Sequence, residues 1–279
     1  MDKLTIYSTC WGGYAVQQYA QDLQKALQPT VEADVIVEDL PYYKDMWIHN
    51  LNGSAIIVQN SSGKFLIFDW NDCFGQIEAT AKLYLHEDCF GYFNSQPSEL
   101  LGHLETYIPH LEFKYKAFYD RYKNHYEKDF DTLEKEIYFN GEITPLRTSN
   151  NTFLANQTYK NHPEFVILQK TSFDKYLEDI FKYRLIYSPA GGGDFAHRDF
   201  ETFALGIPVI RQKYKSANTT LQAGVHYVDI DTVSNFTELL EDKELLCKIG
   251  SSGRLWYEQN CLYPGNVANM KQLIIQRLI

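Results

Sequence analysis

The amino-acid sequence predicts an α/β protein organised as two domains. Three observations carry this expectation. Short apolar runs suited to buried strands alternate with stretches of helical periodicity along the chain. Glycine-rich turns follow two of the expected strands, at Gly12-Gly13 and at Gly191-Gly192-Gly193. The length of 279 residues exceeds the roughly 100–150 residues usual for one domain. The expected domains are residues 1–136 and 137–265, closed by a C-terminal helix over 266–279.

Residues 4–7 read as a first strand. A glycine turn follows, then a helix over 14–27 with Val16, Tyr19, Ala20, Leu23 and Leu27 on one side. That turn lacks the spacing of a dinucleotide-binding loop. Residues 35–37 form a second strand, and 54–59 and 64–69 two more. Asn60-Ser61-Ser62-Gly63 joins the last two as a hairpin. The 64–69 strand ends in Asp69-Trp70-Asn71-Asp72. Strand ends are where α/β sheets place their chemistry, so Asp69 and Asp72 are candidate general bases; capping and turn roles are the structural alternative.

Residues 81–85 alternate as a strand, followed by His86. Across 111–133 the strongest helical stripe runs through Leu111, Tyr115, Phe118, Tyr122, Tyr126, Phe130 and Leu133. A second α/β unit starts with the strand 137–139. Asn140-Gly141 turns the chain, and Arg147 lies in the next loop. Residues 165–168 form a strand and 173–183 a helix.

Residues 185–210, LIYSPAGGGDFAHRDFETFALGIPVI, are the most informative stretch. Leu185, Ile186 and Tyr187 form a buried strand that Pro189 stops. Three glycines follow, where no Cβ blocks backbone approach to a ligand. Asp194 is expected to cap a helix beginning near Phe195. Gly206 suits the left-handed residue that ends it, and Pro208 prevents its continuation. Backbone N–H groups at such a helix start make an anion site. Arg198 and Glu201, three residues apart, share one face. Arg198 offers a forked contact to phosphate, and Glu201 offers acceptors for ribose hydroxyls. The alternative is a surface Arg–Glu pair beside an ordinary turn.

After Val209 and Ile210 comes the basic run Arg211-Gln212-Lys213-Tyr214-Lys215, in which Lys213 is placed to add positive charge near a diphosphate. Residues 224–230 read as another strand. Helices follow over 235–240, 245–257 and 267–278.

Composition narrows the function. A net charge of −10 argues against gripping nucleic acid by its phosphates. The five cysteines are widely spaced without a CxxC pair, so neither a disulfide framework nor a zinc site is expected. A reducing cytoplasm is the expected compartment. Residues 1–3 run directly into the first strand, so no signal peptide is expected. No apolar run approaches the roughly 18 residues of a membrane span, although peripheral membrane contact remains compatible.

The 185–210 stretch resembles the nucleotide-sugar-binding half of GT-B glycosyltransferases, closest in flavour to the exostosin-like and group 1-like families. There a strand ending in Ser-Pro leads to a glycine loop. An Arg precedes a Glu, and a small-Gly-x-Pro-Val strand follows. The similarity runs from about Ile137 to Asn266 and is poor before that. It implies a GT-B-like fold of two Rossmann-like domains facing across a cleft, with the N-terminal one reduced. The C-terminal domain would hold a UDP- or GDP-sugar through Arg147, Ser188, Gly191, Gly192, Gly193, Asp194, His197, Arg198, Glu201 and Lys213. The N-terminal domain would take a hydroxyl acceptor such as a glycan. No cofactor or metal is expected, the nucleotide sugar being a substrate. If transfer inverts the anomeric carbon, Asp69 or Asp72 would act as base; if it retains, no such base is needed. A non-catalytic nucleotide- or sugar-binding module of the same fold and a viral DNA-base glucosyltransferase are the alternatives.

Overall fold

A computed structural model describes residues 2–8, 13–31, 33–39, 55–69, 87–94, 126, 130–141, 143, 156–190, 195–214, 220–261 and 263–279. In chain order its elements are β1 (Asp2–Ser8), α1 (Gly13–Leu27), β2 (Ala33–Asp39), β3 (Ala55–Asn60), β4 (Phe65–Asp69), β5 (Cys89–Asn94), β6 (Glu134–Asn140) and β7 (Phe165–Leu168). Then come α2 (Phe173–Ile180), β8 (Tyr183–Tyr187), α3 (His197–Leu205), β9 (Val209–Arg211), β10 (Val228–Asp229), α4 (Phe236–Glu241), α5 (Lys243–Asn260) and α6 (Tyr263–Leu278). The chain divides into two compact units, one of Met1–Phe113 with Asn260–Ile279 and one of Lys114–Gln259.

The first unit holds a five-stranded sheet in the order β2-β1-β3-β4-β5. β1 pairs in parallel with β2, and β4 with β5, while β3 runs antiparallel to both β1 and β4. The β3–β4 hairpin is closed by Asn60, whose Oδ1 accepts the N–H groups of Ser62 and Lys64, each at 3.1 Å. This is the local self-bonding that makes Asn a turn residue. On α1, Tyr19, Ala20, Leu23 and Leu27 are buried. They cluster with Leu4, Ile6, Ile56, Val58, Leu66 and Phe68, and with Val267, Met270 and Ile274 of α6. Burying each large aliphatic side chain contributes roughly 1.5–3 kcal/mol. The Asn60 amide donates to the Leu278 carbonyl at 3.0 Å, tying α6 to the hairpin.

The second unit holds a fully parallel sheet in the order β10-β9-β8-β6-β7. Ile137, Tyr138 and Phe139 are all buried, as are Leu185, Ile186 and Tyr187. Neighbouring residues on a strand point to opposite faces, so both faces of these strands are covered. The order also reverses: β7 follows β6 on one side, whereas β8 lies on the other side of β6. The β6–β8 boundary is therefore the topological switch point, where open α/β sheets leave a crevice at the carboxyl ends of their strands.

The α/β fold class expected from the sequence is what the chain adopts, and several elements differ in detail. The helix expected from Phe195 begins at His197, because Phe195 is buried against Tyr214 at a ring separation of 4.6 Å. Its N-cap is therefore Ala196, with extended backbone, and not the expected Asp194. The strand expected over 224–230 shortens to β10. Gly224 to His226 instead form a turn in which the Gly224 N–H donates to the Tyr227 carbonyl at 2.8 Å. The helix expected to Tyr183 stops at Ile180, and Tyr183 opens β8 by stacking on Tyr138 at 4.4 Å. The aromatic helix expected to Leu133 gives way to a 3-10 turn at Phe130–Thr132 before β6; most of 111–133, and the strand expected at 81–85, lie outside the described residues. Among the described residues, no helix is long and apolar enough to cross a membrane.

Candidate functional site

The carboxyl edge of the second sheet gathers most of the described candidate residues. β6 ends in Asn140, β8 leads into Ser188, and β9 ends in Arg211, while α3 begins above them at His197. Helix α3 stops cleanly because Gly206 takes the left-handed conformation (φ 70°), its N–H donating to Phe203 and the Ile207 N–H to Thr202. The expected role of Gly206 as the terminating residue is thereby met.

Arg198 sits in the first turn of α3. Its guanidinium lies over the Phe139 ring at 4.6 Å and near the Tyr176 ring at 5.5 Å. Nη2 donates to the backbone carbonyl of Asn140, and Nε is buried with no hydrogen-bond partner among the described residues. The Asn140 side chain is used elsewhere: Nδ2 donates to Thr171 Oγ1 at 3.0 Å, and Oδ1 accepts the Thr171 N–H at 3.2 Å. Arg198 is thus aimed across the switch point by a stacked ring and one carbonyl.

Ser188 is completely buried. Its N–H donates to the Ile210 carbonyl at 3.0 Å, whereas its Oγ has no hydrogen-bond partner among the described residues. Buried hydroxyls are normally satisfied, which makes Ser188 Oγ a candidate ligand contact at the strand end. Glu201 is 6% exposed and lies close to the buried phenol of Tyr176. Burial is the main cause holding that phenol well above its usual pKa, the Glu201 carboxylate adding to the effect and Arg198 opposing it. The pair expected on one face of α3 therefore converges on Tyr176 rather than standing in open solvent.

Two charged residues that the sequence reading did not single out lie beside these. Asp199 accepts the Ala196 N–H at 2.9 Å on Oδ2 and the Nη1 of Arg211 on the same oxygen. Both side chains of this ion pair are essentially inaccessible, at 0% for Asp199 and 1% for Arg211. Arg211 also stacks on Tyr214, at 3.5 Å from the ring centroid, and its Nε donates to the Gln212 carbonyl at 3.0 Å. The first residue of the basic run is thereby turned inward. Lys213, two residues on, is exposed.

The other candidates fall elsewhere. Asp69 closes β4 in the first unit. His197 is the first residue of α3. Arg147, Asp72, Gly191, Gly192, Gly193 and Asp194 lie outside the described residues. A cavity of about 490 Å³ is lined by Asp229, Glu238 and Asp242 together with Val228, Leu239 and Ile249, and contains none of the candidate residues. Its Asp229 and Asp242 accept the N–H groups of Asp231 and Leu245, which is capping chemistry.

No family model matches the sequence, and no curated protein matches it. Several solved structures are similar over nearly the whole chain. One is a glycosyltransferase from Rickettsia africae, at 10% identity over 98% of this chain and 97% of that chain, with a TM-score of 0.46. Another is Anabaena HepE in complex with UDP and glucose, at 10% identity over 97% of each chain, with a TM-score of 0.45. A sucrose-phosphate synthase from Thermosynechococcus elongatus is similar over 72% of this chain and 61% of that chain, at 14% identity and a TM-score of 0.42.

Proposed function

We propose that this protein is a glycosyltransferase whose second unit binds the diphosphate of a nucleotide sugar at the carboxyl edge of its parallel sheet. The observation that carries the proposal is the meeting of Ser188, Arg198 and the start of α3 at the β6–β8 switch point. Helix N-termini favour anions through their free N–H groups and dipole. Arg198 adds a fixed positive charge there, and a charged hydrogen bond to phosphate is worth about 1.5–3 kcal/mol. Ser188, Gly191, Gly192, Gly193, Asp194, His197 and Arg198 are assigned to the diphosphate side, with Arg147 and Lys213 supplying further positive charge. Glu201 is assigned to a sugar or ribose hydroxyl.

In the reaction, the acceptor hydroxyl oxygen attacks the anomeric carbon and the bond from that carbon to the diphosphate oxygen breaks. The nucleoside diphosphate leaves with the electron pair, and donors already aimed at it stabilise its developing charge without reorganisation. The hydroxyl proton goes to a base where transfer inverts, the role assigned to Asp69 or Asp72, and to the departing diphosphate where it retains.

The test is a titration with UDP, GDP and ADP and their nucleosides. A diphosphate present at 100 times its Kd should stabilise the fold by about 2.7 kcal/mol. Arg198→Ala should weaken diphosphate binding about tenfold, roughly 1.4 kcal/mol, and leave nucleoside binding nearly unchanged. An unchanged diphosphate affinity removes Arg198 from the site. Release of nucleoside diphosphate from a nucleotide sugar, even by slow hydrolysis, separates an enzyme from a binding module.

A further inference from the structure

The first turn of α3 is tied to two strands that flank β8. Through Arg198 Nη2 it reaches the end of β6 at the Asn140 carbonyl. Through Asp199 it reaches the end of β9 at Arg211. The sheet order places β8 between them, so the two ties bracket Ser188, the residue with the orphaned buried hydroxyl. Adjacent residues therefore divide the work: Arg198 presents charge at the edge, while Asp199 is wholly inside. Asp199 Oδ1 is also buried without a hydrogen-bond partner among the described residues.

We propose that Asp199 and Arg211 form an internal clamp that sets the angle of the first turn of α3 and so positions Arg198 for a diphosphate; the proposal rests on the nucleotide reading of this edge. Both are positioning residues, since neither side chain is accessible to a ligand. The chemistry suits the task. A carboxylate in the first turn is favoured by the helix dipole and accepts an otherwise free N–H. Arg211 is held from three directions, by the Asp199 carboxylate, the Gln212 carbonyl and the Tyr214 ring, and a planar guanidinium so fixed allows one orientation of its partner. An apolar pair at 199 and 211 would fill the same volume without directing the helix start. Buried ion pairs often add little net stability over apolar replacements, and a role in geometry accounts for keeping one here.

The experiment compares the wild type with Arg211→Met, Asp199→Asn and the double variant. Stability is followed by thermal denaturation, and affinity by titration with UDP, GDP and ADP and the matching nucleosides. Each single variant should raise the diphosphate Kd about tenfold or more while the nucleoside Kd changes less than about threefold. The double variant, which leaves no unpaired buried charge, should recover thermal stability without recovering diphosphate affinity. A purely structural pair would make both quantities recover together, and that result overturns the clamp. Wild-type-like diphosphate affinity in the singles overturns it as well. If a single variant does not fold, the double variant decides by itself. A wild-type protein that binds none of the diphosphates overturns the nucleotide reading, and the clamp with it; a binding wild type with unaffected variants removes the clamp alone.

Discussion

Replacing Gly250 with alanine should destabilise the protein, although the change improves helix propensity. Gly250 lies buried within α5, where a Gly→Ala change in open surroundings gains roughly 0.5–1 kcal/mol. Here a Cβ would stand 2.2 Å from the Gly206 carbonyl oxygen, 3.1 Å from the Gly206 carbonyl carbon and 3.3 Å from Pro208 Cδ. The first distance is about 1 Å short of ordinary van der Waals contact. The obstacle is backbone, so no rotamer relieves it. Gly206 cannot yield easily, being held at φ 70° between the bond from its own N–H to Phe203 and the bond from the Ile207 N–H to Thr202. Helix α5 must therefore move outward, loosening the packing of Leu246, Ile249 and Trp256, all buried on the same helix. Overpacking costs about 1–3 kcal/mol, and a rigid backbone contact belongs at the upper end. The net expectation is a loss of about 2 kcal/mol. Urea denaturation followed by far-ultraviolet circular dichroism measures it, with Ser252→Ala in the same helix as a control. Gly253→Ala should cost less, because its nearest obstacle, the buried Phe203 ring, stands at 2.8 Å and the nearest backbone atom, the His226 carbonyl oxygen, only at 3.3 Å. A Gly250→Ala protein at least as stable as the wild type would refute the close approach of α5 to the α3 terminus.

Alanine at Gly191, Gly192 or Gly193 tests whether that loop cradles phosphate or only turns. At least two of the three changes should weaken diphosphate binding about tenfold, at a stability cost within about 1 kcal/mol; three unaffected titrations would move the phosphate site elsewhere. His226 predicts an acid sensitivity. Burial holds its imidazole below the ordinary value, and Nδ1 accepts the Gln222 N–H at 3.0 Å, a bond open only to an unprotonated nitrogen. The unfolded chain then takes up the proton first, so the contribution of His226 is complete above the unfolded pKa near 6.5 and is lost as pH falls through the lower folded value. His226→Asn should flatten the stability profile as pH falls below about 6.5, and identical slopes for the two proteins would count against it.

Much of the fold was legible because each signal is local. Leu185 to Tyr187 are apolar without interruption because their strand is covered on both faces, and that fact is written in the residues themselves. Asn60 closes its hairpin with its own side chain. Gly206 and Pro208 end α3 through backbone chemistry that no distant contact alters. The position of Arg198 in the first turn of its helix was legible in the same way, since strand, turn and helix lie within one short passage.

Pairings between segments were not legible. Arg211 opens a basic run that the sequence places at the ligand end of its strand, yet it is fully buried because Asp199 meets it from α3. Tyr176 belongs to an ordinary amphipathic helix until Arg198 and Glu201 converge on it. Gly250 reads as a weak helix residue, and only the crossing with Gly206 gives it a purpose. Helix α6 shows its apolar stripe in the sequence, but not that the stripe belongs with β3, β4 and α1, more than two hundred residues earlier in the case of Asn60 and Leu278. Periodicity records which face of an element avoids water, a property of that element alone. Which other element covers the face, and which buried charge is answered by which, are properties of two segments at once, and they come into existence only when the chain has brought them together.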